Sequence, residues 1–155
     1  MAVLAPGDKA PDFTLPRDGG GSVSLSEFHG RPVVLFFYPK DDTEGCTTEA
    51  GVFTAAKADF DAAGVALLGL SPDPVKKHDR FVKKHDLGVP LASDEGLATL
   101  EAYGVWKEKS MYGRTYMGVE RTTVLVDAEG KIAEIWPKVK VKGHVEAVLD
   151  AARKL

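Results

Sequence analysis

The chain has 155 residues, of which 44% are hydrophobic and 28% are charged, and its formal net charge is −3 at pH 7. This length and composition predict one globular domain, residues 1–155, rather than a disordered or fibrous chain. The lack of net positive charge argues against nucleic acid as a partner, and every apolar run is far shorter than the ~20 residues of a membrane span. Residues 1–7 lack the basic start of a signal peptide, so none is expected.

The N-terminal segment predicts a β-hairpin. Residues 10–15 alternate as a short strand, residues 17–22 form a glycine-rich turn, and residues 22–25 return as the second strand. The glycines lack the Gly-x-Gly-x-x-Gly spacing of a phosphate-binding loop. Residues 26–30 then predict a single helical turn that ends at a glycine.

A buried strand followed by a helix surrounds the single cysteine. Residues 32–38 are apolar without a break, which is typical of a strand covered on both faces. Beyond them the apolar residues recur at helical spacing, at Ala50, Phe53, Ala56 and Phe60. Thr43 is the predicted N-cap, with its hydroxyl accepting a hydrogen bond from the N–H of Cys46. The thiol would then lie in the first helical turn, where the helix dipole favours the thiolate.

The next segment predicts another strand and another helix. Residues 64–71 form a second unbroken apolar run. A helix follows, with Asp73 as its acidic cap and Pro74 in its first position. The histidines of this helix, His78 and His85, are two turns apart, which is too far for a shared metal ion without a third ligand between them. We therefore predict no metal site.

The C-terminal half combines short elements. Residues 89–91 are a candidate strand, residues 93–103 predict a helix closed by Gly104, and residues 105–113 are interpreted as a loop of aromatic and basic residues. Such a mixture can stack on nucleic acid, which the negative net charge disfavours. Residues 119–126 and 131–136 predict an antiparallel strand pair.

The end of the chain predicts an exposed stretch and a final helix. Residues 138–142 alternate lysine with valine, so the lysines should face water. The helix that follows has an apolar stripe at Val145, Val148, Leu149 and Ala152. The whole order of elements predicts an α/β fold, in which a central mixed β-sheet is flanked by helices on both faces and preceded by the N-terminal β-hairpin.

The residues around the cysteine resemble a known family. The spacing Pro-x-x-x-Thr-x-x-Cys, formed by Pro39, Thr43 and Cys46, is similar to the peroxide-reducing motif of peroxiredoxins. Further matches to the branch called peroxiredoxin Q, or bacterioferritin comigratory protein, lie at residues 7–13, 37–43 and 120–123. This resemblance implies a thioredoxin-like fold and a thiol-dependent peroxidase that needs no metal, haem or other cofactor.

Helical spacing and the chemistry of a reactive thiolate, together with the resemblance, suggest roles for five residues. The Cys46 thiolate would attack the peroxide and become a sulfenic acid, with Thr43 as a hydroxyl donor and Arg121 as the cation beside the sulfur. Pro39 would shield the sulfur from water, and Glu49, one helical turn after the cysteine, could orient Arg121. Plainer interpretations stay open: an inert buried cysteine, a surface arginine and a solvated glutamate.

The sequence departs from the family pattern at the second cysteine. Many relatives carry a resolving cysteine five residues after the reactive one, where this chain has Gly51, and others place it in the helix that here spans residues 75–85. Glu44 also replaces a proline that is common in the branch. The sulfenic acid would therefore need an external thiol from thioredoxin, glutaredoxin with glutathione, or another reductant.

The sequence also leads to expectations about the protein's location, its oligomeric state and its alternative functions. A chain without a disulfide suits a reducing compartment, so we expect a cytoplasmic protein. The resemblance favours a monomer, and a dimer linked transiently through Cys46 is possible. Two alternatives to a peroxidase remain: a peroxide-sensing switch that is read by a protein partner, and a thioredoxin-like adaptor with an inert cysteine. Turnover with a reductant would distinguish the peroxidase from both.

Overall fold

The computed structural model describes residues 4–155. Residues 1–3, where the segment tested as a signal peptide begins, lie outside this range. The strands are β1 Thr14–Pro16, β2 Ser22–Ser24, β3 Val33–Phe37, β4 Ala66–Ser71, β5 Leu91–Ser93, β6 Trp106–Met111, β7 Arg114–Val119, β8 Thr122–Val126 and β9 Ile132–Trp136. The helices are a 3₁₀ turn Leu25–Phe28 and α1 Glu44–Ala62, α2 Val75–His85, α3 Ala98–Ala102 and α4 His144–Arg153.

Five strands form the central sheet, in the order β5-β4-β3-β8-β9. Strands β3, β4 and β5 are parallel, and α1 and α2 make the two crossovers between them, because parallel neighbours cannot be joined by a tight turn. Strand β8 runs antiparallel to β3, and β9 runs antiparallel to β8. The predicted mixed sheet is therefore confirmed, and so is the N-terminal hairpin, in which β1 pairs with β2.

The buried residues of the sheet alternate between two cores. On one face, Leu35 and Phe37 pack in a cluster with residues of the N-terminal hairpin and of α3. On the other face, Val34 and Phe36 pack in a cluster with residues of α1, α2 and α4. Both faces of β3 are dry, which explains why its sequence shows no polar break. Helices lie on both faces, as predicted, although α3 contributes only five residues.

Strand order brings two distant parts of the chain together. Phe37, at the end of β3, pairs with Thr122, at the start of β8. The segment after β3 and the segment before β8 therefore lie side by side at one end of these two strands. The first leads into α1 and carries Cys46, and the second ends at Arg121. We call residues 38–43, between β3 and α1, the active-site turn.

The interpretation of residues 105–113 as a loop is wrong. Residues 106–119 form a hairpin in which β6 pairs with β7 along six positions, outside the central sheet. Most of its side chains are exposed on both faces, so no alternation of apolar and polar residues marks it as a strand pair. The predicted strand 119–126 is correspondingly interrupted at residues 120–121, where the chain passes from this hairpin into β8.

Smaller differences concern the ends of elements. The candidate strand at residues 89–91 lies two residues later, as β5. Helix α2 begins at Val75 with Pro74 as its N-cap, because the Asp73 carboxylate is used elsewhere and accepts hydrogen bonds from the Ser71 hydroxyl and the Asp41 N–H. The lysines of residues 138–142 are exposed and the apolar stripe of α4 is buried, as predicted. Within residues 4–155, no helix combines the length and the apolar character needed to cross a membrane.

Candidate active site

Cys46 lies in the first turn of α1 and is only 2% exposed. The α-helical hydrogen bonds of α1 begin where the Thr47 N–H donates to the Thr43 carbonyl at 2.8 Å. The N–H of Cys46 precedes that bond, in the turn whose donors have no acceptor within the helix. The sulfur is thus beside the positive end of the helix dipole, which favours a negative charge there.

Arg121 bridges the sulfur and a carboxylate. One of its terminal nitrogens, Nη2, donates to the Cys46 Sγ at 3.3 Å, and the other, Nη1, donates to Glu49 Oε1 at 2.8 Å. The side chain of Arg121 is 17% exposed and that of Glu49 is 1% exposed, so water screens both contacts weakly. The structure therefore brings Cys46, Glu49 and Arg121 into one cluster, with the charge of one guanidinium shared by two acidic groups.

Glu49 is the member of this cluster whose charge is least compensated. Its Oε2 is buried and has no hydrogen-bond partner among the described residues. Burial raises the pKa of Glu49 from 4.5 to about 7, and the nearby Arg121 opposes this shift only in part. Burial alone would lower the pKa of Arg121, but the charges of Glu49 and Cys46 outweigh it and raise that pKa. The guanidinium stays charged, while Glu49 exchanges a proton near neutral pH.

The predicted hydrogen bond of Thr43 is wrong, although Thr43 is the N-cap residue of α1. Its hydroxyl makes no cap bond and instead donates to the Lys40 carbonyl at 2.8 Å. The turn before the helix leaves this carbonyl close to the hydroxyl, which closes a local loop of four residues. The Cys46 N–H is therefore not engaged by the Thr43 oxygen.

Pro39 lies in the active-site turn directly after β3 and is half-buried. Its ring fixes the backbone at the point where the chain leaves the sheet and turns toward α1. A shielding role toward the sulfur stays a prediction.

Two contributors to this site were not predicted from the sequence. A Cβ built on Gly45 would lie 3.1 Å from Arg121 Nη2, so a glycine here lets the guanidinium reach the sulfur. Lys109 of β6 is half-buried near the cluster, and burial together with the charge of Arg121 lowers its pKa, while Cys46 and Glu120 oppose that shift. Glycine is unfavourable in a helix, so its presence in the first turn of the predicted helix could have indicated a special role for Gly45. Lys109 could not be placed near the site, because the hairpin that carries it was not predicted.

One group of residues in the described chain has the donor types of a metal site. Ligand atoms of Asp41, Asp73 and His78 lie within 4.8 Å of one another, and all three residues are buried. Their oxygens already accept protein hydrogen bonds, and the Lys77 ammonium lies 3.1 Å from Asp73 Oδ1. A cation held against this ammonium would be repelled, so the group is a hydrogen-bonded network rather than a metal centre.

The cluster around Cys46 suits nucleophilic chemistry at sulfur. The Arg121 guanidinium donates to the sulfur, and together with the N–H groups of the first helical turn it can stabilise negative charge on the oxygen that leaves when the sulfur attacks an O–O bond. Donors fixed in this way need no rearrangement during the reaction.

Comparisons with known proteins agree with this chemistry. Residues 6–135 match the AhpC/TSA family. Peroxiredoxin Bcp of Bacillus subtilis is 44% identical over 96% of this chain and 95% of its own, and Peroxiredoxin Bcp of Escherichia coli is 41% identical over 97% and 96%. The structure of Xanthomonas campestris Peroxiredoxin Q aligns with a TM-score of 0.90 at 44% identity, covering 99% of this chain and 97% of that one. A mutant of PrxQ from Xylella fastidiosa aligns with a TM-score of 0.93 at 35% identity, covering 99% and 98%.

Family match, relatives and fold agree with the expectation of a thiol-dependent peroxidase and do not favour the sensing switch. The chain belongs to the AhpC/TSA family, as a peroxiredoxin of the Q or Bcp branch that carries a single cysteine.

Proposed function

We propose that the Cys46 thiolate reduces hydrogen peroxide and organic hydroperoxides and is regenerated by an external thiol. The main support for this proposal is the Arg121 guanidinium, which donates to the Cys46 sulfur at 3.3 Å through Nη2 and to Glu49 Oε1 at 2.8 Å through Nη1. In the first step the thiolate attacks the terminal oxygen of a hydroperoxide. The O–O bond breaks, the sulfur becomes a sulfenic acid, and the leaving alkoxide or hydroxide takes up a proton.

Each residue around the sulfur has its own role in this step. Arg121 and the N–H of Cys46 stabilise the charge that moves from sulfur to the leaving oxygen. The only proton of the Thr43 hydroxyl is used on the Lys40 carbonyl, so its oxygen is free to accept the O–H of the hydroperoxide. Pro39 limits the access of water to the sulfur. Glu49 orients the guanidinium.

The reductive half of the cycle needs a second molecule. Cys46 is the only cysteine of the sequence, so its sulfenic acid has no internal thiol to attack it. An external thiol attacks the sulfenic sulfur and releases water, and a second thiol then breaks the mixed disulfide. Thioredoxin, glutaredoxin with glutathione and other thiols are the candidate reductants, for a monomeric protein in the cytoplasm.

Peroxide consumption with each reductant in turn tests the proposal. The purified protein should consume hydrogen peroxide catalytically with at least one of these systems, and Cys46→Ser should abolish the reaction. A single stoichiometric burst with every reductant would contradict the catalytic cycle and support the sensing switch. No consumption at all would contradict the role of Cys46.

A further inference from the structure

A buried contact behind the active-site turn has no part in the chemistry described so far. His78 of α2 is fully buried and Asp41 of the turn is 2% exposed. The Nδ1 of His78 lies 2.6 Å from Asp41 Oδ2, and its Nε2 lies 3.0 Å from the Ala92 carbonyl oxygen. The histidine thus connects the active-site turn to α2 and to β5.

Hydrogen-bond donors and acceptors define the protonation of this pair. A carbonyl oxygen only accepts, so the Nε2 of His78 carries a proton. The contact between Nδ1 and Asp41 Oδ2 then holds one further proton, either as an imidazolium with a carboxylate or as a neutral imidazole with a carboxylic acid. The pair has no net charge in either form, which lowers the free-energy cost of its complete burial.

Asp41 is the residue through which the turn is anchored. Its Oδ1 accepts a hydrogen bond from the Tyr38 hydroxyl at 2.6 Å, and its N–H donates to Asp73 Oδ2 at 2.8 Å. With His78, three different groups therefore fix one residue between Pro39 and Thr43. A residue held by three partners leaves the backbone on either side little freedom.

The neighbouring residue adds a second, exposed connection to the same helix. Asp42 adopts a left-handed backbone conformation with φ of +61°. Its carboxylate lies 2.7 Å from Lys84 Nζ and 2.7 Å from His85 Nε2, both in α2. These exposed contacts are screened by water, so they hold the strained backbone less firmly than the buried pair does.

We propose that His78 is a positioning residue for the peroxide pocket, which acts through Asp41 to hold Pro39 and Thr43 in place beside Cys46. The proposal depends on the roles proposed above for these two pocket residues. The contact of the sulfur with Arg121 comes from the start of β8 rather than from the turn. Loss of His78 should therefore disturb the peroxide pocket and leave the ionisation of the thiol intact.

This separation gives the test. We would measure the second-order rate of Cys46 with hydrogen peroxide and the rate of its alkylation by iodoacetamide, which needs the thiolate but no peroxide pocket. His78→Leu should lower the peroxide rate by about tenfold, as expected for a small displacement of the reacting geometry. It should not lower the alkylation rate, because a displaced Pro39 leaves the buried sulfur no less accessible. His29→Leu, at an exposed histidine, is the matched control and should change neither rate.

A conservative variant shows whether the hydrogen bonds carry the effect. In Asp41→Asn, the amide oxygen can accept from Tyr38 and the amide N–H can donate to a neutral His78, so the peroxide rate should stay near that of the unsubstituted protein. If His78→Leu leaves the buried Oδ2 of Asp41 without its partner and the variant fails to fold, Asp41→Ala with His78→Leu removes both polar groups. This double variant should fold and still react slowly with peroxide.

Three results would overturn the proposal: an unchanged peroxide rate in folded His78→Leu, an equal loss of both rates, or a normal peroxide rate in the double variant. Failure of the proposed function would look different, because the unsubstituted protein would then not reduce peroxide at all.

Discussion

Replacing Arg121 by methionine should reduce both the stability and the reactivity of the protein, and a second substitution should restore only the stability. The guanidinium donates to the Cys46 sulfur through one nitrogen and to Glu49 through the other. Methionine keeps much of the length of the side chain and removes both hydrogen bonds. The two losses have different physical origins and can therefore be separated.

The loss of stability arises at Glu49. The pKa of this buried carboxyl is already about 7, so without Arg121 it takes up a proton rather than remaining charged. A buried carboxylic acid without a partner costs about 1–3 kcal/mol. The loss of reactivity arises at the sulfur, where a hydrogen bond to a charged donor contributes about 1.5–3 kcal/mol, equivalent to a roughly 10- to 150-fold lower rate with peroxide.

The double variant Glu49→Leu with Arg121→Met removes the unpaired carboxyl. It should recover most of the free energy of unfolding in a urea titration, because apolar residues replace a buried polar pair at little cost. It should remain slow in a stopped-flow reaction with hydrogen peroxide. Arg153→Met, at an exposed arginine of α4, is the control and should change neither quantity. Recovery of the peroxide rate in the double variant would refute the contact between Arg121 and the sulfur as a source of reactivity.

Four further outcomes can be measured. Burial raises the pKa of Glu49 from 4.5 to about 7, so folding retains a proton between these values, and the free energy of unfolding should fall by about 3 kcal/mol as the pH rises across them. Urea titrations of Glu49→Gln should lack this component. Gly51→Ala should stabilise α1 by about 0.5–1 kcal/mol, whereas Gly69→Ala should destabilise the sheet by about 1–3 kcal/mol, because its Cβ would lie 2.7 Å from a buried ring. Gly45→Ala should displace Arg121 and slow the peroxide reaction by roughly tenfold.

Local patterns in the sequence predict the parts of the fold that are locally determined. Burial of β3 on both faces leaves an unbroken apolar run in its sequence, and burial of one face of α1 leaves apolar residues at helical spacing. These patterns therefore predict both elements to within a few residues. The β6–β7 hairpin buries little of its surface and left no such pattern. Its missed strands also concealed the position of Lys109.

Local sequence patterns do not show which distant segments contact each other. Arg121 reaches Cys46 only because β8 pairs with β3 in a register that places Phe37 opposite Thr122. The resemblance to peroxiredoxins indicated that contact, and periodicity alone could not. The helical spacing of Val75, His78 and Phe81 puts the histidine on an apolar face of α2. Its bond to Asp41, however, spans 37 residues and joins a helix to a turn. Polar pairs of this kind depend on the completed packing rather than on any local sequence signal.

The structure also bears on why an external thiol is needed. A Cβ built on Gly51 would meet no atom within 4 Å, so packing does not exclude a cysteine at this position, where the resemblance to peroxiredoxins implies a second cysteine in many relatives. The single-cysteine sequence is therefore not imposed by the fold. Because the Cys46 sulfur is almost fully buried, a hydroperoxide of few atoms can reach it more easily than a protein thiol can. We therefore expect oxidised Cys46 to be reduced by a protein thiol more slowly than Cys46 is oxidised by a small hydroperoxide.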